Sequence, residues 1–288
     1  MTDPTTADEN SRTWGVGGDL TVNRLGFGAM RITGKGIWGD PPDHDEAIAV
    51  LRRAVELGVN FIDTADSYGP FVSERLIAEA LHPYHEDLVI ATKAGLRRDG
   101  PDQWRPDGRP QRIKACCEES LERLNLEQIP LYQFHRPDPQ VPFEDSLAAF
   151  IELKNEGKIR HIGLSNVDDA QISAALELTP IVSVQNRYNP TDRSSAEVLD
   201  RCETERIAFL PWAPIGGTSG VDDSTLAGIT KAHDSSPRIV ILAWMLALSD
   251  CIIPIPGTGS VAHLEDNMKA ADLELTASEV AALSGLAS

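Results

Sequence analysis

Short apolar runs alternate with longer segments of helical period along almost the whole chain. The apolar runs fall at residues 25–30, 60–64, 88–93, 131–135, 161–165, 181–185, 208–211 and 251–255. Each has the length and composition of a buried strand. Between them, DEAIAVLRRAVELG puts Ala47, Leu51, Ala54 and Val55 on one face of a helix. RIKACCEESLERLN, FEDSLAAFIELKNEG, DAQISAALEL and SAEVLDRCETE keep the same period. Gly58 and Gly157 follow two of these segments, where a left-handed C′ residue ends a helix. SNVDDAQI offers Ser and Asp as an N-cap. Strands separated by helices imply parallel pairing, because each crossover needs a helix. Eight such units predict an α/β fold of the closed (β/α)8 TIM-barrel type. GFGAM after the first strand lacks the third glycine of a dinucleotide-binding Rossmann turn. Residues 14–22 alternate around Gly17-Gly18-Asp19 and predict a β-hairpin across the barrel bottom. Residues 1–12 read as a disordered polar tail, and 13–288 as one barrel domain.

Charge and cysteine usage narrow the classes of partner. Lys and Arg total 26 against 44 Asp and Glu, a net charge of −18 over 288 residues. That balance excludes nucleic acid and an anionic membrane as main partners, since phosphate backbones need a basic field. A small phosphorylated ligand stays open, because it needs only a local donor site. Cys116, Cys117, Cys202 and Cys251 form no CxxC pair. They read as reduced thiols rather than a zinc cluster or disulfide framework. The N-terminal residues have no basic and apolar signal pattern, and residues 239–248 are too short an apolar run to span a bilayer. The expectation is a cytoplasmic protein without membrane association. Oligomeric state is left open, a monomer being compatible.

A barrel of this type carries its chemistry at the C-terminal ends of its strands. There the sequence places Asp63 and Tyr68, Lys93, His135, Ser165-Asn166, Gln185, Trp212, and Gly257 to Ser260. Polar groups closing apolar runs are costly to bury unless paired. A tyrosine near a lysine, itself held by an aspartate, can donate a proton that a free phenol holds too tightly. A histidine beside them can hydrogen-bond a carbonyl oxygen. Such a set supplies no hydride, so a cofactor is implied. No His/Glu set has metal-ligand spacing, and no metal is expected.

These residues lie in motifs that resemble the aldo-keto reductases from about Val22 to Leu286. The motifs are FIDTADSYG, ATK, HRPD, IGLSN, VQNRYN, WAPIGG and IPIPGTGSVAHLEDN, in order and each at a strand end. The resemblance implies NADPH (NADP+) bound in extended form and a small-molecule aldehyde or ketone as substrate. It implies Tyr68 as the acid–base residue, Lys93 lowering its pKa, Asp63 pairing with Lys93, and His135 orienting the carbonyl. Ser165, Asn166 and Gln185 would hold the carboxamide, and Trp212 would stack on the nicotinamide. Gly28, Ala29 and Met30, with the loop Ala213, Pro214, Ile215, Gly216 and Gly217, would line the dinucleotide. Gly257, Thr258 and Ser260 lead into the helix that would face the 2′-phosphate, with His263, Asp266 and Asn267 following. The chain departs from the family pattern here: Gly257 stands where well-known members have Lys, and His263 where they have Arg.

Further fragments, including IDTADSYGP and IPGTGSVAHLEDNM, are similar to the bacterial branch that includes pyridoxal reductases. Trp38 in the long first loop is a candidate wall over a planar substrate, or a packing residue on the rim. Trp104 and Trp244 read as structural, His44, His82, His85 and His233 as solvated, and His161 as packed or paired. Two other readings compete. One is a nicotinamide-binding sensor with little catalysis, against which the intact Asp63/Tyr68/Lys93/His135 set argues. The other is a metal-assisted barrel hydrolase or isomerase, for which only His135 and Asp63 qualify as ligands. Trp212→Ala is expected to weaken NADPH binding and reduce quenching of nucleotide fluorescence; an unchanged Kd would mean that another group stacks on the ring.

Overall fold

The computed structural model describes residues 12–216 and 224–287. The chain opens with an antiparallel hairpin, β1 (Thr13–Val16) and β2 (Leu20–Asn23). Val16, Leu20 and Val22 pack against Phe61, Val89, Leu131, Val182, Ala208 and Ile253 and so plug the N-terminal end of the barrel interior. Asp19 at the hairpin turn accepts from Arg160 and lies 2.6 Å from His161 Nε2, which pins the plug to the start of a barrel strand. Of the polar stretch at residues 1–12, only Arg12 lies among the described residues, and its carbonyl accepts from Arg24 N.

The barrel follows as β3 (Phe27–Gly28), α1 (His44–Glu56), β4 (Phe61–Asp63), α2 (Val72–Leu81), β5 (Val89–Ala94), a second hairpin β6 (Leu96–Gly100) and β7 (Gln103–Pro106), and α3 (Pro110–Leu124). It continues as β8 (Ile129–Phe134), α4 (Phe143–Asn155), β9 (Ile159–Ser165), α5 (Asp169–Leu178), β10 (Ile181–Gln185), α6 (Ala196–Glu205) and β11 (Ala208–Phe209). Helices α7 (Ser224–Ala232), α8 (Pro237–Leu248), α9 (Val261–Met268) and α10 (Ala277–Ser284) complete the chain. The barrel strands pair in parallel in the order β3-β4-β5-β8-β9-β10-β11.

The eighth strand closes the ring without regular strand geometry. Phe209 N donates to Cys251 O and Ile253 N to Phe209 O on one side, while Gly26 N and Gly28 N donate to Pro254 O and Pro256 O on the other. Pro254 and Pro256 have no N–H to return to the first strand, so that seam carries half a ladder. Arg24 reinforces it from below. Its guanidinium is 5% exposed and donates to Leu246 O and Ser249 O, and it pairs with Asp250 at 3.2 Å.

The helices form where the periodicity puts them, and their ends are satisfied locally. Asp43 caps α1 by accepting from Glu46 N, and Asp168 with Gln171 makes a full capping box on α5. Their inner faces pack on the outer faces of the strands, as where Phe134 and Tyr132 meet Phe150. Trp244 is fully buried and stacks on Tyr188 at 6.2 Å, a structural role as expected. No helix among the described residues is long and apolar enough to cross a membrane.

Candidate active site

The C-terminal ends of the strands open into a cleft of about 1060 Å³. That exceeds the space needed for a drug-sized ligand and suits a dinucleotide with substrate. At its floor, Lys93 of β5 is fully buried. All three ammonium hydrogens have acceptors: Asp63 Oδ1 at 2.6 Å, Thr64 O at 2.7 Å and Tyr68 Oη at 3.2 Å. The other oxygen of Asp63 accepts from Gln133 Nε2 at 2.9 Å and Gln185 Nε2 at 2.8 Å. Because Lys93 donates to the phenolic oxygen, the hydroxyl hydrogen of Tyr68 remains free to point into the cleft, which Tyr68 lines.

Burial and neighbouring charge set the protonation of this cluster. Burial lifts the Tyr68 hydroxyl above the ordinary phenol range, against the pull of the Lys93 ammonium. Lys93 therefore acts on the phenol in the direction the sequence suggested, but burial outweighs it. Burial also works against the charge of Lys93, yet Asp63 and Tyr68 more than offset it and leave the ammonium with a raised pKa. His135 follows β8 and lies with its ring centroid 5.8 Å from that of Tyr68. Burial first, then Lys93 and Arg136, drives its imidazole well below its usual pKa, so the ring is neutral at pH 7. Its Nδ1 is 3.3 Å from Ser67 Oγ.

The expected dinucleotide residues distribute unevenly. Gly28, Met30, Ser165, Gln185 and Trp212 line the cleft, as do Ala213, Pro214, Ile215 and Gly216, and Gly257, Thr258, His263 and Asn267. Asn166 also lines it, but as a hub whose capacity is already used. Its Oδ1 accepts from Trp212 Nε1 and Arg136 Nη2, and its Nδ2 donates to His135 O and Ser165 Oγ. In this arrangement it orients its neighbours rather than offering a free amide. Asn166 and Ala213 adopt positive φ of 57° and 50°, a conformation non-glycine residues hold only when surroundings enforce it.

Ala29, Ser260 and Asp266 do not line the cleft. Ala29 is fully buried beneath the first strand end, Ser260 is the N-cap of α9, and Asp266 pairs with Lys269 at 2.8 Å. Gly217 lies outside the described residues. Of the two tryptophans near the site, Trp38 takes its rim alternative and Trp104 departs from its structural reading. Trp38 is 36% exposed and outside the cleft, its ring 5.8 Å from the Arg98 guanidinium. Trp104, read as structural, lines the cleft and meets Tyr68 edge-on at 6.4 Å. Arg98 stacks 3.7 Å over Trp104 and donates to Ile37 O and Gly36 O, which locks the β6–β7 hairpin to the first loop. The sequence signal that was passed over is Asp99-Gly100-Pro101-Asp102, a turn pattern inside the segment between the third strand and its helix.

A model of the Aldo/keto reductase family matches residues 24–288. The chain belongs to the aldo-keto reductase family. It is 48% identical over 267 residues to an uncharacterized oxidoreductase of Schizosaccharomyces pombe, covering 92% of this chain and 87% of that protein. It is 40% identical over 276 residues to pyridoxine 4-dehydrogenase of Escherichia coli, covering 93% and 96%. Among solved structures, the glycerol dehydrogenase of Gluconobacter oxydans aligns with a TM-score of 0.85 at 26% identity, over 96% of this chain and 95% of that one.

This aldo-keto reductase is an NAD(P)H-dependent oxidoreductase, and its cleft fits the nicotinamide dinucleotide. Gly28 and Gly257 face each other so closely that a Cβ on Gly28 would stand 2.6 Å from Ile255 O, and one on Gly257 2.6 Å from Gly28 O. Only glycine permits that seam and the open backbone trough above it. Asn267 is 1% exposed, and its Oδ1 has no hydrogen-bond partner, as expected of a group that awaits a ligand donor.

One ionisable group next to the cluster is held out of its ordinary state. Asp66 is 3% exposed, its Oδ1 has no partner, and burial together with Glu74 pushes its carboxyl up to about 7. A carboxyl raised on folding keeps a proton that the unfolded chain gives up, so it costs stability as pH climbs through that interval. Asp66→Asn should therefore raise Tm more at about pH 8 than at about pH 4.5. A gain that is equal at both pH values would show that Asp66 is not protonated in the fold.

Proposed function

We propose that this aldo-keto reductase is an NADPH-dependent carbonyl reductase in which Tyr68 is the proton donor. The observation that carries the reading is the continuous chain from Asp63 through Lys93 to the Tyr68 hydroxyl, which ends on the cleft with its hydrogen unspent.

NADPH, when bound, supplies the hydride that reduces the carbonyl carbon. Tyr68 transfers its hydroxyl proton to the carbonyl oxygen as negative charge develops there. The phenolate that remains is held by the hydrogen bond and charge of Lys93, and Asp63 keeps that ammonium in place. A phenol lifted by burial stays protonated at neutral pH and so enters each reduction as the acid. The neutral His135 ring keeps one N–H; in the tautomer with Ser67 donating to Nδ1, the hydrogen sits on Nε2 and would orient the carbonyl oxygen. Trp212, fixed by Asn166, is assigned to the face of the nicotinamide. Trp104, with Leu96 and Pro106 of the β6–β7 hairpin, forms an aromatic and apolar wall of the cleft.

That wall suits a flat aromatic aldehyde, and pyridoxal is the proposed substrate. The 40% identity to pyridoxine 4-dehydrogenase supports it. A panel of aldehydes and ketones with NADPH, ranked by kcat/KM, tests the substrate; pyridoxal should rank at or near the top, and a preference for aliphatic ketones would contradict it. Lys93→Met should lower the rate of carbonyl reduction by at least about 100-fold, within the range of general acid catalysis, with NADPH Kd largely kept. A loss below about threefold would remove Lys93 from the mechanism.

A further inference from the structure

The cleft carries a charge pattern opposite to the rest of the protein. Net charge is −18, yet Arg31, Arg136 and Arg238 line the cleft, and Asp63 is its sole carboxylate among the described residues. Asp63 is already buried against Lys93. Arg238 is the residue that sequence comparison with the family pattern gave no reason to choose.

The start of helix α9 is already partly taken. Its first N–H, on Val261, donates to Glu46 Oε1 at 2.9 Å, so a carboxylate already occupies the helix start. A phosphate arriving there meets that negative charge, and the family's Lys and Arg positions hold Gly257 and His263. The room beside Gly257 is also taken: the Arg31 stem lies 3.5 Å from where a Cβ would stand. A strong cation for a phosphate can come from another element, and Arg31 and Arg238 both line the cleft.

Arg238 meets that need. It lies in the first turn of α8, where a cation opposes the helix dipole, and no acidic residue shares that turn. It has no ion pair or hydrogen bond among the described residues. The adjacent Ile239 packs with Ile215 of the dinucleotide loop and Met268 at the end of α9. This places the turn between that loop and the helix bearing His263 and Asn267. Asn267, whose buried Oδ1 has no partner, lines the same cleft.

We propose that Arg238 recognises the 2′-phosphate of NADP(H) and makes this enzyme distinguish it from NAD(H). The inference rests on the NADPH reading of the previous subsection. A guanidinium can grip a phosphate monoester with two parallel hydrogen bonds.

Fluorescence and calorimetric titrations of the whole chain with NADPH, NADH, 2′-AMP and 5′-AMP test it. Arg238→Ala should raise Kd for NADPH and 2′-AMP at least about tenfold, and change NADH and 5′-AMP by less than about threefold. Arg238→Lys should fall between the two for NADPH. Tm of the ligand-free variant should match or exceed that of the parent, because the removed charge opposed a helix dipole. Unchanged NADPH affinity, or an equal loss for both dinucleotides, would overturn the assignment to the 2′-phosphate. If the parent reduces carbonyls with NADPH while Arg238→Ala binds normally, only this inference fails. If the parent binds neither dinucleotide, or prefers NADH, the cofactor reading fails with it.

Discussion

A lysine ammonium fully enclosed at the end of a barrel strand is the constraint around which this active site is built. An unpaired charge at that depth would cost several kcal/mol. The structure answers with a complete set of partners: Asp63, Thr64 O and Tyr68 on the ammonium, and Gln133 and Gln185 on the far oxygen of Asp63. Four strands contribute to or border this one network, so the barrel register and the chemistry are the same problem. Strands β4, β5, β8 and β10 must end level for these contacts to exist. The ladders that pair Asp63 with Ala91 and Lys93 with Gln133 hold them there.

The network also explains why its components sit in unlike protonation states within a few ångströms. Burial favours the neutral forms of tyrosine and histidine, and the Lys93 ammonium strengthens this for His135. Lys93 keeps its charge, because a carboxylate is locked against it. The result is a protonated phenol, a neutral imidazole and a fixed positive charge lining or underlying one cleft. Arg31, Arg136 and Arg238 add positive charge to the same cleft. An acidic surface surrounds a basic trough, an arrangement that draws an anionic cofactor inward and keeps other polyanions off the remaining surface.

Much of this was legible in the chain. The helical periods and the eight apolar runs located the barrel, and the polar residues at strand ends located Asp63, Tyr68, Lys93 and His135. The roles of Gln133 and Asn166 were less legible. Gln133 sits inside an apolar run and reads as a strand residue; only the register with Lys93 shows that it faces Asp63. Asn166 carries an amide of the right type, but its saturation by four neighbours is a matter of three-dimensional geometry. The eighth strand was found at residues 251–255, while its irregularity follows from Pro254 and Pro256 at alternate positions on one seam. The sequence offers Trp38 as a cleft wall or a rim residue and Trp104 as structural, with no signal that orders them. The β6–β7 hairpin, pinned by Arg98, brings the second of them to the cleft instead of the first.

The central claim is that the Tyr68 hydroxyl delivers the proton. The most direct measurement is single-turnover reduction of an aldehyde by Tyr68→Phe with NADPH already bound, which separates chemistry from binding. Loss of a general acid predicts a step slower by at least about 100-fold, with the Kd for NADPH within about threefold of the parent. A variant that reduces the aldehyde at the parent rate would contradict the account.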